Sequence, residues 1–77
     1  MDEITFKCKV LEETFSLSLP QNSTIENAKI MLESLSLGIK NFAQKWIFQG
    51  RILKDTETLQ VSIQSNYYYY YFKINFN

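Results

Sequence analysis

The 77 residues contain no histidine and a single cysteine, Cys8. Ser–His and Cys–His nucleophilic arrangements are therefore excluded, and one thiol builds neither an internal disulfide nor a Cys-rich zinc site. Charge of one sign is also missing. Eight Lys and Arg balance eight Asp and Glu, so the electrostatic footprint of a nucleic-acid-binding domain is absent and no nucleic-acid partner is expected. No apolar run reaches the length of a membrane span, and the acidic start Met1-Asp2-Glu3 is unlike a secretory leader. No membrane partner, metal or cofactor is expected. What is present is ordinary for a globular chain: 45% apolar residues, too many for intrinsic disorder. The expectation is one small domain over 1–77, with its core at about 4–74, in the cytoplasm or nucleus and without catalytic activity.

Ile4, Phe6, Cys8 and Val10 alternate with Thr5, Lys7 and Lys9, the period of a half-buried strand. After Leu11-Glu12-Glu13, alternation resumes with Phe15, Leu17 and Leu19 against Thr14, Ser16 and Ser18. Two such runs with so short a link read as a β-hairpin, although the link has no Gly or Asn to define its turn. Pro20 ends the second strand. Ser23 followed by Glu26 fits a capping box, with Thr24 a competing N-cap, and Ile25, Ala28, Leu32 and Leu35 recur at helical spacing. Glu26, Lys29 and Glu33 lie off that stripe, Ile30 and Met31 widen it, and Gly38 is placed to end the helix.

Beyond an irregular stretch, Lys45-Trp46-Ile47-Phe48 is an apolar β-forming run closed by Gln49-Gly50, with Arg51-Ile52-Leu53 as a very short strand after the turn. Leu59 and Ile63 are isolated anchors in a polar connection, Leu59 in a loop or single helical turn. Tyr67 to Phe76 is the last strand by propensity. Alternation permits two phases for it. In one, Lys73 and Asn75 face water and Phe72, Ile74 and Phe76 face the core; in the other, Tyr69 and Tyr71 turn inward and Tyr70 and Phe72 outward. The order β-β-α-β-(β)-β defines an α+β domain with one helix across one sheet.

Three stretches carry a family resemblance. Ser23-Thr24-Ile25-Glu26-Asn27-Ala28-Lys29 resembles the start of the ubiquitin helix, and Lys45 to Leu53 resembles the stretch bearing ubiquitin's central recognition isoleucine. Gly50-Arg51-Ile52-Leu53-Lys54-Asp55 with Thr58-Leu59 is similar to the ubiquitin-like domains of ubiquilin-type proteasome shuttles. The resemblance implies a ubiquitin-like β-grasp, a mixed four- to five-stranded sheet with one helix packed across it. It also implies an apolar recognition patch on the open face of the sheet. Leu11 and Ile47 fall on two of its positions. Phe72 falls on the third when Ile63 is matched to the family's isoleucine before the last strand, which selects the second phase. Tyr70 then stands where ubiquitin has a histidine, and Lys45, Gln49 and Gly50 form the polar rim. The implied partners are ubiquitin-binding helices or proteasome receptor subunits, and the chain is expected to be a monomer.

The residues support a patch independently of the family. Ile47 lies between Trp46 and Phe48, and strand alternation cannot bury all three on one face, so one large apolar side chain must look outward. Trp46, Phe48, Leu53, Leu59 and the helix stripe read as core, and Cys8 as a buried, inert thiol. Asp2, Glu3, Glu12 and Glu13, at a terminus and a turn, read as solvated charge.

Departures from the family shape the alternatives. The final residues Ile74-Asn75-Phe76-Asn77 carry no diglycine, and Arg51 stands at the position of ubiquitin's main chain-linking lysine, which implies a non-conjugating domain. One alternative is a modifier whose diglycine tail lies beyond Asn77. Another is a β-grasp domain that binds small GTPases through the edge of its second strand, an edge that ordinarily carries basic residues; Thr14 to Leu19 has none.

Overall fold

The structure, a computed structural model, describes residues 3–35, 39–62 and 71–76. Alternation builds the first hairpin: β1 (Glu3–Val10) and β2 (Glu13–Pro20) pair antiparallel, with Phe6 opposite Leu17 and Cys8 opposite Phe15. Val10 pairs with Glu13, leaving Leu11-Glu12 as a two-residue turn. Leu11 itself supplies the left-handed conformation, at φ 56°, which is why no glycine marked the turn.

Helix α1 (Ile25–Leu35) starts one residue later than the capping box requires. Thr24 is the N-cap, its Oγ1 accepting from the Asn27 amide at 3.2 Å. Ser23 is engaged elsewhere, donating its amide to the Pro20 carbonyl and accepting from the Leu59 amide, each at 2.9 Å. Two further helix amides, those of Ile25 and Glu26, donate to the carbonyls of Glu57 and Asp55 at 2.8 and 3.2 Å. The loop before α2 (Leu59–Ser62) thus satisfies the open N-terminus of α1. Ile25, Ala28 and Leu32 are fully buried, but Ile30 and Leu35 are about half exposed, so the apolar stripe is narrower than expected. Lys29, expected off it, is buried with its ammonium on the Asp55 carboxylate. Gly38 lies outside the described residues.

Asn41–Ala43 form a 3-10 turn that leads into β3 (Gln44–Phe48). Gln49 and Gly50 then adopt φ 53° and 80°, as a type I′ turn demands, and β4 (Arg51–Ile52) returns alongside β3. The last strand, β5 (Tyr71–Phe76), runs parallel to β1 and antiparallel to β3. The sheet is five-stranded and mixed, in the order β2-β1-β5-β3-β4, with the helix across one face.

The phase of β5 corrects the placement of Phe72. Phe72 is 0% and Ile74 3% exposed, whereas Tyr71, Lys73 and Asn75 face solvent. Phe72 meets Phe6 edge-to-face at 5.3 Å and lies 5.1 Å from Trp46 and 5.2 Å from Phe48, centroid to centroid. The opposite phase would drive the Lys73 ammonium into this aromatic core, at a desolvation cost that no partner there offsets. Trp46 is also fully buried, and its indole N–H donates to Gln44 Oε1 at 2.8 Å. Gln44 Nε2 in turn donates to the Lys29 carbonyl at 3.1 Å. That buried relay lets a tryptophan sit in the core without an orphaned donor.

Candidate functional site

The face of the sheet turned away from α1 carries Lys45 and Ile47 among the residues expected to bind, with Leu11 at its end. β1 presents Lys7 and Lys9 there, β5 presents Tyr71, Lys73 and Asn75, and β3 presents Lys45 and Ile47. The register makes one row of them: Thr14 opposite Lys9, Lys9 opposite Lys73, Lys73 opposite Ile47, and Ile47 opposite Ile52. On the neighbouring rows Lys7 faces Tyr71 and Lys45 faces Asn75. An apolar end made by Ile47 and Ile52 therefore runs into a cationic middle.

Leu11 stands at the end of β1 and shares a shallow depression with Lys9, Lys45, Lys73 and Phe76. It is 73% exposed at φ 56°. Holding a leucine in the left-handed region strains the backbone, and leaving it in water gains no burial.

The electrostatics are one-sided. Among the described residues, no carboxylate lies within ion-pair distance of Lys7, Lys9, Lys45 or Lys73; the ion pairs are Lys29–Asp55 and Arg51–Glu57. Like charges directly opposite on adjacent strands, as Lys9 and Lys73 are, repel. Arg51 is drawn away from the row, its Nη1 donating to Glu57 Oε1 at 2.8 Å. The Lys54 amide donates to the other Glu57 oxygen at 2.7 Å. That amide, with the Arg51 guanidinium, holds the Glu57 carboxyl below the usual glutamate range. Cys8 is fully buried, and burial pushes its thiol far up, so it stays protonated and unreactive.

Of the residues expected to bind, Leu11, Lys45, Gln49 and Gly50 are exposed and Ile47 is half-buried on the open face. Phe72 is in the core and leaves this face. Tyr70 lies outside the described residues, and the residue opposite Ile47 on β5 is Lys73. Sequence reasoning missed the placement of Lys9, Lys73 and Ile52 in one row with Ile47. Alternation had already turned Lys9 outward, but only the parallel β1–β5 pairing reveals its neighbour.

Comparison with known proteins accords with this geometry. The model of the ubiquitin family matches residues 4–67, and the chain belongs to that family. No curated protein matches it. Among solved structures it is similar to the UBL domain of Dsk2 from Plasmodium falciparum, with 23% identity over 99% of this chain and 100% of that one, at a TM-score of 0.84. The likeness is one of fold, the ubiquitin-like β-grasp.

Proposed function

We propose that the chain is a non-catalytic ubiquitin-like interaction module that docks ubiquitin-binding helices or proteasome receptor subunits on the open face of its sheet. The observation that carries this reading is Leu11, a strained and exposed leucine beside a row that joins Ile47 and Ile52 to a cluster of lysines that, among the described residues, have no acidic partner. Stability gains nothing from that arrangement, whereas a partner would. The similarity to the UBL domain of Dsk2 supports the same assignment.

The face also defines the partner's chemistry. An amphipathic helix places apolar residues at i and i+4 on one side. Set on Leu11, Ile47 and Ile52, such residues remove apolar surface from water, and flanking carboxylates meet Lys9, Lys45 and Lys73. A patch of this size supports a weak, rapidly exchanging complex. Ile47→Ala tests the reading: binding to an acidic ubiquitin-interacting helix should weaken at least several-fold while the variant stays folded, with a loss of about 1 kcal/mol for a half-buried side chain. Unchanged affinity in the folded variant would remove Ile47 from the site and the proposal with it.

A further inference from the structure

The sheet has two edges, and they differ. β4 is only two residues long (Arg51–Ile52), too short to template another strand. β2 is eight residues long (Glu13–Pro20) and has no charged residue between Thr14 and Leu19. Edge strands are ordinarily guarded by charge, bulges or short length. Apart from Glu13 and Pro20 at its ends, β2 has none of these.

Its hydrogen-bonding pattern follows from the turn. Because Val10 and Glu13 close a two-residue turn and are paired, they exchange both of their main-chain hydrogen bonds, and so does every second pair along the hairpin. Glu13, Phe15, Leu17 and Leu19 thus direct their N–H and C=O groups toward β1. Thr14, Ser16 and Ser18 direct theirs outward, and among the described residues no other backbone group meets them. Pro20, next in that series, has no N–H and stops it.

We infer that the β2 edge pairs with β2 of a second copy, antiparallel and centred on Ser16. In that register Ser16 faces its own counterpart, while Thr14 faces Ser18 of the other copy. All the outward donors and acceptors are then matched, with hydroxyl residues opposite hydroxyl residues, a favourable cross-strand pairing. On the inner face, Phe15 lies beside Leu17 of the other copy; Phe15 and Leu19, only partly buried in one copy, lose further exposure. Glu13 faces Leu19, so no like charges oppose. This hydrogen-bond self-complementarity, with no like charges opposed, argues for a second copy as the occupant. The contact is also closed: it consumes the only long edge among the described residues, and the short β4 edge does not propagate it, so the product is a symmetric dimer rather than a fibre.

The contact is small, so dissociation constants on the order of 1 mM are expected, with a monomer at dilute concentrations. Sedimentation velocity and amide chemical shifts of the labelled chain, followed from about 20 μM to about 3 mM, bracket that value. The expected result is a rising weight-average mass, with concentration-dependent shifts at Thr14, Ser16 and Ser18. Ser16→Lys, an exposed substitution that places two ammonium groups face to face across the axis, should abolish both changes and leave the melting temperature intact. Three outcomes would overturn the inference: a monomeric mass throughout, association that persists in Ser16→Lys, or edge shifts produced only by an added extended peptide. Because the edge is remote from Ile47, Ile47→Ala should dimerise normally, which separates this test from that of the docking face.

Discussion

Lys9 and Lys73 stand directly opposite one another across the parallel ladder of β1 and β5, with no carboxylate within ion-pair distance among the described residues. An isolated domain has no use for that pair, because each ammonium raises the energy of the other. An acidic partner reverses the sign of the interaction, so the face is least stable empty and gains most when occupied. Repulsion between the two lysines is screened by salt, and so is attraction to the partner.

Lys73→Gln separates the two contributions. Removing one ammonium should leave thermal stability unchanged or raise it by a few tenths of a kcal/mol. The same variant should bind an acidic helix more weakly and lose part of the salt dependence of binding. Affinities measured at low and moderate ionic strength, with melting curves in the same buffers, check both halves.

Leu11 sets stability against binding in a second way. Leu11→Gly relieves the left-handed strain at φ 56°, offset in part by the greater freedom of glycine in the unfolded chain. A net gain of about 0.5–1 kcal/mol is expected. Binding should fall, because the exposed isobutyl group is lost. Chemical denaturation and a binding titration on one preparation supply both readings. A variant that is more stable and binds as well as the parent would mean that the leucine is merely tolerated at the turn.

Phe72 and Tyr71 should behave as opposites. Phe72 touches Phe6, Trp46 and Phe48 in the core, and Phe72→Ala should destabilise the fold by about 3–5 kcal/mol. Tyr71 is 43% exposed, and Tyr71→Ser should cost roughly 1 kcal/mol or less. Denaturant midpoints of the two variants establish the phase of β5 without reference to any partner.

That phase marks where the sequence ceases to be legible. Clean alternation exposes the β1–β2 hairpin, and helical spacing exposes α1, although the capping box points to Ser23 whereas Thr24 is the cap. The stretch from Lys45 to Leu53 carries the family likeness and gives Ile47 its outward position. Consecutive tyrosines are equivalent on both faces of a strand and carry no phase information. The choice is made by distant partners: Phe6 and Trp46 accept Phe72, and nothing in the core accepts the Lys73 ammonium. The cationic row is illegible for a related reason. Lys9 and Lys73 become neighbours only through a parallel pairing of the first and last strands, and no local pattern encodes it. Leu11 hides its turn because a leucine occupies a conformation usually left to Gly or Asn.

The most direct test of the docking face is a titration of the isotope-labelled chain with an acidic, amphipathic ubiquitin-interacting helix, followed by amide chemical shifts. Perturbations should concentrate at Leu11, Lys45, Ile47 and Ile52 and extend to Lys9 and Lys73, and they should shrink as salt is raised. Shifts confined to the exposed side of α1, or none at these positions with a saturating helix, would contradict the account.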